Sequence, residues 1–545
     1  MEDKVLELLS VDGPQLSGQL AIRLEQWLGI TAASARKKVE RRSESVRELK
    51  LQFARRAKFL YTAGQYGSDK FWTRLAEALE EGNGAYARVV RAVRARGGVV
   101  PLAQLASAAG ISSASRQIPI ERVVESLVET ELFQTLEIPG LGQCFAFAKK
   151  DEPFEELLPE VRARQIAETV LLQSVQEWAA KLGLGSYGSF KLRSSQMGAA
   201  PAVSAFQWDL TAPSYINALT SWSSSRPKPG FMVLDVLLKE EVRDSDILPF
   251  IYKCKALRQV RNVRTLQFFV AHQYSRSTLD AIRREGIIPA TTESLFGTDV
   301  ALALMELSAT LVNAATQSVD PDKFSQLFDK LGKVEGAAGT LRGALFEFIV
   351  ADVMRKTVAG ANITMNKLYR KDGKDVAEVD VRVHVPDQEM RFIECKGLLP
   401  GNLLPDIEIE AWLTKRIPSV RRQTLDNSEF KNLKLTFELW LTGVLSPEAQ
   451  RRIADAKAAV DPNRYSIEVM LAPDIEAAVK DFPDLRKVVK QHFLEHPMAT
   501  PIEVINPVSK RRNPQPDAVF SHLKPRSPRD GPDHHEENPA WPGLV

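Results

Sequence analysis

The stretch AEVDVRVHVPDQEMRFIECKG, residues 377–397, decides how the rest of the chain is read. It holds two runs that alternate with the period of a β-strand. In the first, Val379, Val381, Val383 and Val385 fall on one face, and Glu378, Asp380, Arg382 and His384 on the other. In the second, Met390, Phe392, Glu394 and Lys396 fall together, with Ile393 and Cys395 opposite. Pro386 to Glu389 supply turn residues, so a hairpin is expected. A connection of odd length sets Asp380 directly across from Glu394, with Cβ atoms roughly 5 Å apart. Like charges at that spacing repel. A divalent cation reverses the argument, because hard ions such as Mg2+ take oxygen ligands and need only one or two protein carboxylates, leaving other positions to water and phosphate. Lys396 projects from the face that carries Glu394. There it can orient or help deprotonate a metal-bound water and balance charge on a phosphate.

Upstream, ALFEFIVADVM is apolar around most of a helix, so Glu347 within it is expected to be buried. At helical spacing it falls beside Gly343, Ala344 and Ala351, a strip of small residues that lets a strand or ligand approach. A buried carboxylate without a partner is costly, and a metal, a metal-bound water or Lys396 would supply one.

A helix glutamate, then Asp380, then IECK at 393–396, resembles the PD-(D/E)XK nuclease superfamily, whose fold is that of restriction endonucleases. The resemblance spans residues 335–460 and implies a mixed sheet flanked by helices. It also implies a Mg2+ (or Mn2+) cofactor and hydrolysis of phosphodiester bonds in DNA. Under it Asp380, Glu394 and the backbone carbonyl of Cys395 would bind the metal, Lys396 would be the catalytic lysine, and Glu347 the helix acid. The proline that names the motif is missing, since Val379 precedes the aspartate. Restriction, anti-phage or anti-plasmid defence is the implied setting. Alternatives are a non-catalytic DNA-binding regulator, a repair nuclease and an RNA-cleaving nuclease. Downstream, Lys415, Arg416, Arg421 and Arg422 are candidate phosphate contacts, and Trp412 a packing residue.

Residues 156–310 repeat the order of helices and strands read at 335–500, which predicts an α/β architecture with a duplicated sheet, one copy degenerate. In the earlier copy Glu168, Asp209 and Asp235 take the acidic positions. Leu237 stands where the lysine belongs, with Lys239 nearby. A leucine can neither orient water nor neutralise phosphate.

The first 155 residues read as two α-helical units, 1–85 and 86–155. In the first, a helix from about Gln15 to Gly29 precedes a second helix, capped by Thr31 or Ser34 and carrying Arg36, Lys37, Lys38, Arg41 and Arg42. This is a helix-turn-helix layout whose basic helix suits a major groove. In the second unit, FQTLEIPGLGQCFAFA is a candidate hairpin, or wing.

Composition sets the remaining bounds. A chain of 545 residues predicts two to four domains. The three cysteines, Cys144, Cys254 and Cys395, are too dispersed for a disulfide framework or a zinc cluster. No secretory signal pattern opens the sequence and no run approaches a membrane span, so a cytoplasmic protein without membrane contact is expected. With no GxxxxGK[ST] phosphate loop, a separate motor or sensor protein is a candidate partner, and oligomers are open. Residues 507–545 are rich in proline and charge and predict a disordered tail. The adjacent His534 and His535 lack ligand spacing.

Overall fold

The hairpin at the centre of the sequence argument is the middle of a five-stranded mixed sheet. The computed structural model describes residues 4–495, apart from 50, 52, 54–55, 82–83, 115–116, 139–140, 149–157, 194–199, 224–225, 333, 335–336 and 372–373. The expected tail and its two histidines lie outside the described residues.

This later sheet runs, edge to edge, Asn362–Lys371, Lys374–Val385, Glu389–Lys396, Lys434–Leu441 and Ser466–Met470. The first two contacts are antiparallel and the last two parallel. Strand Lys434–Leu441, buried along nearly its whole length, reads as the continuous apolar run of a parallel strand covered on both faces. The edge strand Asn362–Lys371 was not anticipated from sequence. Helix Ala337–Thr357 covers one face. Ile409, Trp412, Ile417 and Val420, with helix Pro447–Ala459, cover the other. Trp412 is a packing residue, as expected.

An earlier sheet has the same plan. Its order is Lys191–Leu192, Leu210–Ser214, Gly230–Leu237, Thr265–Ala271 and Ile288–Thr291. Again two antiparallel contacts are followed by two parallel ones. Helix Leu158–Lys181 lies on one face and helix Asp244–Arg258 on the other. The protein is thus α/β, with two open mixed five-stranded sheets flanked by helices.

The sheets meet on a common helical layer. One core cluster joins Leu171 and Val175, Leu304, Leu307 and Leu311, Leu345 and Ile349 with Leu234 and Val236 of the earlier sheet and Val381, Val383 and Ile393 of the later one. Each such side chain, fully buried, contributes roughly 1.5–3 kcal/mol. Leu304, Leu307 and Leu311 belong to helix Thr298–Thr316, which corrects one expectation. By length and composition this helix could cross a membrane, although its buried residues pack into the shared core.

In the N-terminal part, helix Ser17–Leu28 ends at Gly29, whose φ of 63° is the left-handed conformation that closes a helix. Thr31 then caps Ala32–Glu40 by accepting from the Ser34 N–H. A small sheet joins Gln15–Leu16, before these helices, with Val46–Glu48 and Phe59–Thr62 after them. In the second unit, helix Leu102–Ala109 precedes Ile120–Val128 and the expected hairpin Phe133–Ile138/Gly142–Phe147.

Candidate active site

Three residues, Pro386 to Gln388, connect Val385 to its partner Glu389. Asp387 takes a φ of 60°, the left-handed position of such a turn. This odd loop sets the register. The ladder ends at Val381 and Ile393, and one step further Asp380 and Glu394 stand opposite each other. The Cys395 N–H donates to Asp380 Oδ2 at 2.7 Å, which fixes the carboxylate against the neighbouring strand.

One sequence expectation fails here. Val379 does not share a face with Val381 and Val383. It packs with Phe392 and Phe437, whereas the other two face the shared helical layer. The cause lies in the edge strand. Met365 pairs with Val381 and Lys367 with Val379, while Asn366 and Asp380 between them are skipped. Asn366 has a φ of 49°, a conformation asparagine tolerates better than most residues. The irregularity turns the strand at Asp380. It also brings Asn366 Nδ2 to Glu347 Oε2 at 3.1 Å.

Gly397 lets the Glu389–Lys396 strand approach helix Ala337–Thr357. A Cβ there would stand 2.6 Å from Phe346 Cβ and 2.8 Å from the Arg342 carbonyl. Glu347 is thereby held near the strand acids. Burial, with the Glu378 and Glu394 charges adding to it against Asn366 and Arg162, pushes the Glu347 carboxyl up to about 7. Burial, followed by the charges of Glu394 and Glu347, pushes Asp380 well above the usual carboxylate range. Glu378, which sequence reasoning did not single out, is also raised by burial.

Cations border these acids. Lys396 Nζ lies 2.9 Å from Glu394 Oε1, and Arg416 pairs with the same oxygen. Glu408 faces both cations, at 3.8 Å from Lys396 and 3.5 Å from Arg416. Burial alone would lower the Lys396 ammonium, but Glu394 and Asp380 outweigh it and hold the proton. A lysine held in its protonated form can donate hydrogen bonds to a neighbouring oxygen. Arg162, from the helix of the earlier sheet, interacts with Glu347, Glu378 and Asp380, though burial still lowers its pKa. Sequence reasoning missed Arg162 because it lies in the other half of the chain.

The arrangement suits a divalent cation in one respect. Two strand carboxylates face each other beside a lysine. Among the described residues no group of three or more His, Cys, Asp and Glu is placed to hold a metal ion. A cation held by Asp380 and Glu394 would therefore complete its shell with water and phosphate oxygens, as Mg2+ commonly does.

The earlier sheet repeats the geometry with a different outcome. Leu210 pairs with Leu234, so Asp209 and Asp235 stand opposite one step on. The Val236 N–H donates to Asp209 Oδ2 at 2.9 Å, the counterpart of the Cys395–Asp380 bond. Glu168 is the helix acid, and its Oε1 accepts from the Leu238 N–H at 3.4 Å. Here Arg193 pairs with both Glu168 and Asp209, and its side chain is only 3% exposed. Lys253, fully buried, pairs with Asp235 and donates to the carbonyls of Gln207 and Ser107 at 2.8 and 3.2 Å. Burial disfavours the Arg193 charge, but Asp209 and Glu168 more than offset it and keep the guanidinium protonated. Lys239 is elsewhere, paired with Asp246 at 2.8 Å.

The candidate nucleic-acid contacts separate. Arg36, Lys37 and Lys38 are exposed on the Ala32–Glu40 helix, and Arg41 is exposed at its end. Arg42 lies past the helix and pairs with Glu48, so it does not belong to the basic face. Lys415 and Arg422 are exposed. Arg416 belongs to the acidic cluster, and the Arg421 guanidinium lies 5.3 Å from the centre of the Tyr465 ring.

The chain matches no family model and no curated protein. Among solved structures it is similar to the crystal structure of protein VC1899 from Vibrio cholerae, at 13% identity and a TM-score of 0.13. The similarity covers 45% of this chain and 53% of that one, about half its length. A similarity this low carries no argument about fold or function.

Proposed function

We propose that this chain is a metal-dependent DNA endonuclease of restriction-endonuclease-like fold, with its active site at Asp380, Glu394, Lys396 and Glu347. The contrast between the two sheets carries the reading. In the earlier sheet an equivalent set of acids is neutralised by Arg193 and Lys253 and closed off, with side chains at most 4% exposed. In the later sheet Asp380 and Glu347 are held reluctant to ionise, and Lys396 and Arg416 remain 24% and 33% exposed. An acidic cluster kept under electrostatic strain beside an open lysine is a functional-site pattern.

A divalent cation held by Asp380 and Glu394, with the Cys395 carbonyl, would supply Lewis acidity and a nucleophilic water. Lys396 would donate to that water or to a non-bridging phosphate oxygen. Glu347 and Glu378, at raised pKa, would share protons as the substrate charge arrives. The earlier sheet is a degenerate copy on this reading, and the N-terminal units are winged-helix or helix-turn-helix modules. Arg36, Lys37, Lys38 and Arg41 would bind duplex phosphates, with Lys415 and Arg422 contributing near the site. A cytoplasmic role in defence, alongside a separate motor or sensor protein, fits a nuclease without a phosphate loop.

The test is plasmid cleavage by the full chain with Mg2+ or Mn2+, alongside Asp380→Ala, Glu394→Ala and Lys396→Ala. Cleavage by the wild type alone is expected. Equal cleavage by all four proteins would trace to a contaminant and remove the enzyme. Preferential loss of an RNA substrate would reassign it as a ribonuclease.

A further inference from the structure

We infer that the end of the earlier sheet remote from Asp209 and Asp235 is a stacking platform for single-stranded DNA. Three segments build that end. The Ser186 N–H donates to the Pro213 carbonyl at 2.8 Å, so the loop carrying Tyr187 lies against the end of strand Leu210–Ser214, where Tyr215 follows. Ser214 pairs with Gly230, at the start of the next strand. Trp222, in the two-stranded hairpin Ser221–Ser223/Arg226–Lys228, leads into that strand and pairs across from Pro227. The Phe231 N–H donates to the Arg264 carbonyl at 2.9 Å, and the Arg264 guanidinium reaches the Ala218 and Thr220 carbonyls at 3.4 Å.

What these segments expose is unusual for a soluble surface. Tyr187 is 88% exposed, Trp222 71% and Tyr215 55%. Exposed Lys228 and Arg264 lie in the same segments. Single exposed aromatics are ordinary, but three on converging segments need a reason. Charge supplies it. Residues 178–208, 210–234 and 247–279 contain no aspartate or glutamate. Aromatic faces interleaved with lysine and arginine, in a zone whose own segments carry no acid, match a strand of unpaired bases on a phosphate backbone. A duplex hides its base faces and could not use the rings. What favours unpaired bases over an acidic protein is the combination of several exposed rings with phosphate-compatible cations in segments without acids. The platform lies roughly 20 Å along the strand from the neutralised acids, at about 3.3 Å per residue, so it is a separate surface.

This inference rests on the nucleic-acid part of the proposed function and not on hydrolysis, so binding is measured in chelator. Fluorescence anisotropy of a labelled oligo-dT of about 15 nucleotides, titrated with the full chain at low salt, is the assay. Tyr187→Ala, Tyr215→Ala and Trp222→Ala remove exposed rings, and unchanged thermal midpoints would verify folding. Each should weaken oligo-dT binding by roughly 5- to 150-fold. The same changes should leave binding of a duplex of equal length within about twofold. Lys228→Glu should reduce the salt dependence, by a slope change of about 0.7 per lost phosphate contact. Wild-type affinity retained by the three aromatic variants would overturn the platform. So would an absence of oligo-dT binding, or binding of oligo-rU with none of oligo-dT. A chain that cleaves nothing yet loses oligo-dT binding on Trp222→Ala would keep this inference while losing the nuclease.

Discussion

Replacing Glu347 by glutamine should stabilise the metal-free protein increasingly as pH rises from about 5 to about 7. Glu347 is held at about 7 against an ordinary 4.5. The folded state therefore binds its proton more tightly than the unfolded chain. The associated stability is fully present below about pH 4.5 and lost as pH rises through about 7. Between pH 5 and pH 8 the loss is about 2.5 kcal/mol. Glutamine has no proton to lose, and its amide oxygen can still accept from Asn366 Nδ2. Thermal unfolding of both proteins in chelator, at pH 5 and pH 8, measures the difference. Nearly equal midpoints are expected at pH 5, and at pH 8 a midpoint higher in Glu347→Gln by roughly 2–3 °C, at about 1 °C per kcal/mol for a unit of this size. Mn2+ at pH 8 should narrow that gap, since a cation held by Asp380 and Glu394 binds more tightly where Glu347 adds a negative charge, and so stabilises the wild type more by mass action. A variant less stable than the wild type at pH 8, or a gap that does not change with pH, would refute the account of a strained acidic cluster.

Three further outcomes follow from the same geometry. Lys396→Met should lower metal-dependent cleavage by roughly 10²–10³-fold, the effect of removing one well-placed donor, while oligonucleotide affinity measured in chelator stays within about threefold. Arg193→Met should destabilise the fold by about 3–5 kcal/mol, because it strands Glu168 and Asp209 uncompensated in the interior; cleavage per folded molecule should be unchanged, read by urea unfolding and plasmid assay together. Cys144, whose thiol burial pushes up to about 12, and the equally buried Cys254 and Cys395 should resist a thiol reagent at pH 8 until the protein is unfolded, as a timed absorbance assay would show.

What could be read from sequence was local. The register that opposes Asp380 and Glu394 depends on a three-residue turn and a period of two, both contained in residues 377–397. The matching order of the two sheets was legible for a similar reason, since each strand and helix carries its own periodicity. The misreading of Val379 came from a neighbour. The skipped Asn366 lies in an edge strand whose half-polar alternation gives no strand signal, and it turns the chain from outside the hairpin. Arg416 looked like one of four surface cations because nothing in its helix reveals that Glu394 faces it. Arg193, which neutralises the earlier acids, directly follows a strand of two residues, Lys191–Leu192, beside a stretch of sequence with no periodicity. Charge pairing across distant segments leaves no periodic trace in a single sequence.

The helical layer between the sheets also constrains how this chain can change over generations. The Ala337–Thr357 helix spends one side on its own sheet and another on the Leu158–Lys181 and Thr298–Thr316 helices. A gene shortened to begin at this helix would expose that second side to water. Point mutations can change the earlier half one side chain at a time. Outright deletion of that half would remove the scaffold on which its neighbour folds, so selection must carry both halves together even if only one of them works on a substrate.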